Sequence, residues 1–104
     1  MLYDKKWDKE VKVGDEVGQA LLKAADYIEE HGHCKGVLYN DEGAVCFRGA
    51  FIKIEALELL DLAELRLKDL GVPHKGYMGV VDWNNAPERT AEEVIAMMRH
   101  AAYQ

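Results

Sequence analysis

Cysteine is scarce in this 104-residue chain, which has two, Cys34 and Cys46. Two are too few for the disulfide framework of small secreted scaffolds. The two prolines, Pro73 and Pro87, each fall at a predicted break between elements. No apolar run approaches the roughly 18–20 residues that a membrane helix needs. The opening stretch from Met1 to Trp7 lacks the apolar core of a signal peptide, so a cytoplasmic location is expected. Positive charge is in deficit: 13 Lys and Arg against 19 Asp and Glu give a net charge of −6. A field of that sign repels phosphate backbones and anionic lipid heads, so neither nucleic acid nor membrane is expected as a partner. The one dense basic cluster, Lys5, Lys6, Lys9 and Lys12, is interleaved with Asp4, Asp8 and Glu10 and reads as solvated mixed charge. No glycine-rich phosphate loop is present.

What is present is ordinary globular material, 49% hydrophobic and 31% charged, in a length that fits one domain. We divide it into an N-terminal arm, residues 1–14, and a single domain, residues 15–104. The arm carries Leu2, Tyr3, Trp7, Val11 and Val13, and Trp7 is expected to dock it onto the body.

The first helix should start at Asp15, a good N-cap followed by Glu16. Val17, Leu21, Ala24, Ala25 and Ile28 then recur at helical spacing, and Gly32 supplies a stop. A β-hairpin should follow. Gly36–Tyr39 and Ala44–Phe47 flank a four-residue link, Asn40 to Gly43, that suits a type I turn closed by glycine. Pairing Tyr39 with Ala44 leaves both faces of the hairpin apolar, so something must cover the second face.

Gly49 and Ala50 open the next helical pattern, with Phe51, Ile54 and Leu57 on it. Asp61-Leu62-Ala63-Glu64 has the spacing of an N-cap and its third helical residue. Residues 50–70 are therefore one long helix or two shorter ones, ended by Gly71 and Pro73. Seven leucines between Leu57 and Leu70 are too many for one buried stripe. Part of that surface should face the hairpin or another subunit. Tyr77–Trp83 reads as a short strand and Asn84–Pro87 as a turn. Thr90-Ala91-Glu92-Glu93 is a capping box for a last helix bearing Val94, Ile95, Met98, Ala101 and Ala102. The expected fold is α+β and helix-rich: three to four helices around a short β-hairpin or small antiparallel sheet.

Two segments carry a family resemblance. The first is the run from Leu21 to Gly32 followed by Cys46-Phe47-Arg48-Gly49-Ala50. The second is Asp82 to Thr90, running into the final helix. Together they resemble a family of small uncharacterised proteins of actinobacteria and their bacteriophages. Its members show a helix, a Cys-x-x-Gly-Ala step, and a Trp-Asn-Asp before an Arg-Thr-capped terminal helix. This chain departs from that pattern with Asn85 in place of Asp and His33 in place of an aromatic. The resemblance runs from about Asp15 onward. It implies a phage or actinobacterial origin, and it brings no known activity and no catalytic residues.

Several constellations were weighed for chemistry. His31, His33, Cys34, Cys46 and His74 invite a metal, but His31-x-His33-Cys34 is tighter than zinc pair spacings, so no metal or other cofactor is expected. A cysteine nucleophile needs a nearby base. His33 adjoins Cys34 in sequence, yet adjacent side chains diverge. Glu92 and Glu93 have a complete account as helix-start residues. Trp83-Asn84-Asn85 is the most distinctive polar motif. It reads as a ligand pocket, with Trp83 stacking and the asparagines hydrogen-bonding, or as a core Trp beside a turn. We prefer the turn, since Asn commonly bonds its own backbone there. A ligand site, if there is one, should gather Trp83, Asn84, Asn85, His33 and Cys34.

In the hairpin register Cys46 faces Val37, three residues from Cys34. That is about 10 Å at roughly 3.3 Å per residue, against a Cα limit of about 7 Å for disulfides, so no bridge within one chain is expected. The leading functional expectation is a non-enzymatic interaction protein, such as a phage accessory factor that binds a host protein or itself, most simply as a homodimer. The alternative is a small-molecule binder or small enzyme with a pocket near Trp83/Asn84 and His33/Cys34.

Overall fold

The computed structural model describes residues 15–72 and 79–104. Among them are five α-helices: α1 Glu16–His31, α2 Phe47–Lys53, α3 Leu60–Asp69, α4 Gly79–Asn85 and α5 Ala91–Ala102. A single 3-10 turn, Leu57–Leu59, precedes α3. The arm with Trp7, and His74, Tyr77 and Met78, lie outside the described residues.

Helix α1 begins as its sequence dictates. The Asp15 carboxylate accepts from the Gly18 amide at 3.0 Å, filling one orphan donor of the first turn. Its apolar face packs against α5, and the two run antiparallel. Ala102, at the end of α5, crowds Gly18 near the start of α1. Arg99, earlier in α5, reaches Asp26 and Glu29 further along α1, each at 2.8 Å. Ala20, Ala24, Ala25, Ala101 and Ala102 are all buried, so small side chains let the axes approach. Leu21, Ile28, Val94 and Met98 fill the same core. Arg66 of α3 ties the far end together. It pairs with Asp15 at 2.6 Å and donates to the Ala101 and Ala102 carbonyls at 3.4 Å, which are orphan acceptors at the α5 terminus.

The expected α+β class does not hold: no strand or sheet occurs among the described residues. In place of the hairpin are two isolated bridges that share one residue, His33 with Val45 in parallel and Tyr39 with Val45 antiparallel. The turn itself falls where expected. Asn40 Oδ1 accepts from Glu42 and Ala44 amides at 3.1 and 3.0 Å. Tyr39, however, faces Val45 and not Ala44. The second run cannot extend into a strand because Cys46 is already the N-cap of α2 and Phe47 its first residue. Only Val45 of the run Ala44 to Cys46 is bridged before the helix takes over.

The middle segment resolves into two α-helices. Helix α2 starts at Phe47, earlier than Gly49. Asp61 lies inside the first turn of α3 and makes no side-chain cap. The break between them is a Schellman closure, with Ala56 N donating to Phe51 O at 2.9 Å and Glu55 N to Ile52 O at 3.0 Å. It places Glu55 at φ 61°, a conformation that glycine ordinarily supplies. The end of α3 repeats the closure with a glycine: Val72 N to Leu67 O at 3.0 Å, Gly71 N to Lys68 O at 2.9 Å, and Gly71 at φ 98°. The expected strand at Tyr77–Trp83 is also overturned, since Gly79–Asn85 is helical.

The capping box at Thr90 forms. Thr90 Oγ1 accepts from the Glu93 amide at 3.1 Å, and Glu93 Oε1 accepts from the Thr90 amide at 2.9 Å. The Thr90 amide, with help from Arg89, holds the Glu93 carboxyl below its ordinary range. Thr90→Ala should lower stability by about 1 kcal/mol at neutral pH. A depressed carboxyl contributes above its unfolded pKa and loses that contribution as pH falls through its folded value. The residue-90 amide is kept in the variant, so both proteins should lose this contribution in acid and the gap in urea midpoint between them should change little. A midpoint unmoved by Thr90→Ala at pH 7 would remove the cap from the account.

Candidate functional site

The site forms where the chain leaving α1 meets the start of α2 and the end of α4. Asn84, near the end of α4, is the central side chain and is only 2% exposed. Its Oδ1 accepts from His33 Nε2 at 2.8 Å and from the Phe47 amide at 3.1 Å. Its Nδ2 donates to Cys34 O at 3.4 Å and to Asn85 Oδ1 at 2.9 Å. The amide orientation is fixed from both sides: an N–H at Phe47 demands an oxygen, and a carbonyl at Cys34 demands a nitrogen. Because Oδ1 can only accept, the proton on His33 must sit on Nε2.

Asn85 extends the clasp, its Oδ1 accepting also from the Gly36 amide at 3.0 Å. Lys35 closes it, with Nζ donating to the Ala86 and Pro87 carbonyls at 2.6 and 3.3 Å just past α4. The short connection 33–36 is thus fastened to α4 at each of its residues.

The α2 start is held by two unlike side chains. Asn84 supplies the oxygen for the Phe47 amide, and Cys46 Sγ accepts from the Gly49 amide at 3.3 Å. Both thiols are free. The hairpin distance that separated them on paper does not apply, because Cys34 lies beside Val45 on the other edge of the extended segment. Cys34 N donates to Val45 O and Val45 N to Gly32 O, each at 3.0 Å. Burial first, then the neighbouring Cys46, push the Cys34 thiol above its ordinary range.

Four of the five expected site residues, His33, Cys34, Asn84 and Asn85, therefore come together. Trp83 does not join them. It is buried, its carbonyl accepts from Arg89 Nε at 3.0 Å, and the Arg89 guanidinium lies 4.8 Å from its ring centre. The preferred reading holds for Trp83, which is part of the core, and is corrected for the asparagines. Apart from the bond between their own side chains, the asparagines bond neither their own backbone nor the α5 start, but segments 37 to 51 residues away. Lys35 and the Phe47 amide were missed, and no local signal in the sequence marks them.

A hollow of about 210 Å³ opens beside this clasp, lined by Gly36, Val37, Leu38, Cys46, Val80 and Asn85 among others. Among the described residues no group of three or more His, Cys, Asp or Glu is placed to hold a metal. Nor is any described helix long and apolar enough to cross a membrane.

A family model matches residues 13–104. The chain belongs to DUF6197, a family of unknown function. No curated protein and no solved structure matches it. In this DUF6197 chain the residues that carried the resemblance meet at the clasp and around α5. Cys46 caps α2, Gly49 touches the Leu38 carbonyl, Ala50 is fully buried, Asn84 bonds α2, Arg89 covers Trp83 and Thr90 caps α5. Each has a structural account as part of the scaffold.

Proposed function

We propose that this protein works by binding another protein, in the first place a second copy of itself, rather than by catalysis. The observation that carries this is the loop Val37-Leu38-Tyr39. Its three large apolar side chains are 55%, 43% and 47% exposed. They stand on a fastened backbone, with Cys46 N donating to Leu38 O and Asn40 N to Ala44 O at 3.0 Å, and Gly36 pinned by Asn85. Lys53 lies 4.4 Å over the Tyr39 ring. Apolar groups presented on a pre-ordered loop lose little freedom on binding, and tyrosine is a favoured anchor. Leu57, Leu62 and Leu65 expose a second apolar face, the surplus leucine surface expected from the sequence. Two-fold dimers are the commonest closed assembly. The side chains of His33, Lys35, Asn84 and Asn85 at the clasp are engaged in holding it.

The hollow favours a second reading, a small-molecule pocket beside Asn84, Asn85 and Cys46. Its 210 Å³ lies below the range of about 300–1,000 Å³ usual for such sites. It suits one apolar side chain of a partner better than a metabolite, and so serves the first reading. The net charge of −6 argues against nucleic acid as that partner. An actinobacterial or phage origin and a host protein as a further partner belong to the same proposal and rest on the resemblance. A cytoplasmic setting belongs to it on the ground of an opening stretch without an apolar core.

Light scattering under reducing conditions tests it. The mass at micromolar concentration should be about twice 11.7 kDa, and Leu38→Asp should return it to the monomer value. A mass of 11.7 kDa across a dilution series of about a hundredfold would sink self-association.

A further inference from the structure

We propose that Cys34 and Cys46 are a redox-active dithiol that closes to a disulfide within one chain when a hydroperoxide oxidises it. The geometry comes from the extended segment at Val45. His33 and Val45 face each other in a parallel bridge, so Cys34 and Cys46 are each one residue further along two segments running side by side. Side-by-side segments lie about 4.8 Å apart, and successive residues alternate faces, so the two side chains leave on the same side. A Cα separation near that spacing falls within the roughly 4.4–6.8 Å that disulfides use.

The sulfur positions agree with this. Cys34 Sγ lies 3.6 Å from the carbonyl of Ala44, two residues before Cys46, and so sits over the segment that carries Cys46. The influence of Cys46 on the Cys34 thiol reports the same proximity. Both residues are half-buried, neither sealed nor fully exposed, and Cys46 lines the hollow, which gives a small oxidant access.

The chemistry balances with hydrogen peroxide as oxidant. One thiolate attacks the peroxide, breaking the O–O bond to give a sulfenic acid and, with the thiol proton, one water, a step that the raised Cys34 thiol slows at neutral pH and that quickens as pH rises. The other sulfur then displaces the sulfenic hydroxyl, forming the S–S bond and releasing a second water. Two thiols and one peroxide become one disulfide and two waters, with two electrons passing from sulfur to oxygen. The bond would tie the connection 33–36 to the N-cap of α2 along the wall of the hollow, so oxidation state would bear directly on that surface. This inference is independent of self-association.

The test uses the full chain, reduced and then treated with one equivalent of hydrogen peroxide. Titratable thiols after denaturation should fall from two to none in monomeric protein, and dithiothreitol should restore both. Trypsin cuts after Lys35, which places Cys34 in residues 24–35 and Cys46 in residues 36–48. The oxidised digest should contain these two peptides joined. Cys46→Ser keeps an oxygen for the Gly49 amide, since serine is a good N-cap. It should fold and give no joined peptide, leaving Cys34 as a sulfenic acid or as a disulfide between chains. The proposal is overturned if the wild-type monomer keeps two thiols, or if oxygen accumulates on either cysteine without the joined pair.

Discussion

Gly49→Ala should destabilise the protein by about 3 kcal/mol or more, enough to leave a domain of this size marginal or unfolded. A Cβ on Gly49 would run into the Leu38 carbonyl oxygen, lie 2.8 Å from its carbon, and sit 3.3 Å from Val45 Cβ. None of these is the far end of a flexible side chain. The Leu38 carbonyl is already committed, accepting from Cys46 N at 3.0 Å, so moving it away breaks the contact that anchors the exposed loop. Val45 is fully buried. The helical backbone of α2 would accept alanine gladly, since alanine is the better helix former. Destabilisation here would therefore measure the close approach alone. Urea denaturation decides: a midpoint equal to or above wild type would show that α2 and the Leu38 carbonyl are not in contact. Gly36→Ala, by contrast, meets no atom within 4 Å, though its φ of 80° adds backbone strain of its own.

The parts of this fold that were legible in the sequence are those decided by residues a few places apart. Asp15 caps α1, Gly71 closes α3 and Thr90 pairs with Glu93 because each motif is complete within one turn of chain. The same rule explains the failures. Helix α2 ends in the same closure as α3, but with Glu55 where glycine would announce it, so the boundary carried no signal. Cys46 is an N-cap of a kind that the usual Ser, Thr, Asp or Asn signature does not include. Val37-Leu38-Tyr39 and Ala44-Val45-Cys46 are short apolar runs flanking a good turn. That pattern fits a hairpin as well as two lone bridges, and periodicity over three residues cannot separate them. Gly79–Asn85 contains two valines that favour strands in isolation. Its helix is held by Arg89 bonding the Trp83 carbonyl, by Lys35 bonding the carbonyls just past its end, and by burial of Val80 and Trp83.

The candidate site was half legible. Its members were named, because Asn, His and Cys stand out in a chain with few of them. Their roles were not, because the bonds that join the segments link residues tens of positions apart. That separation has a testable consequence. Asn84→Ala should cost about 3–4 kcal/mol, which is large for one polar side chain. The change deletes four hydrogen bonds. The buried Phe47 amide and the half-buried Cys34 carbonyl would each be left without that partner. An unsatisfied buried group costs roughly 1–3 kcal/mol, against about 1 kcal/mol for an ordinary bond lost at the surface. Asn84→Asp separates shape from polarity. It keeps an oxygen for His33 and Phe47, but loses both donors and sets a carboxylate against the Asn85 oxygen and the Cys34 carbonyl. It should therefore also destabilise, and recover as pH falls and the carboxyl gains a proton that can donate. With urea slopes of about 1–3 kcal/mol/M, Asn84→Ala should move the midpoint by about 1–4 M. A shift within error of zero would mean that connection 33–36, α2 and α4 hold together without the clasp, and that Asn84 is free to serve a ligand instead.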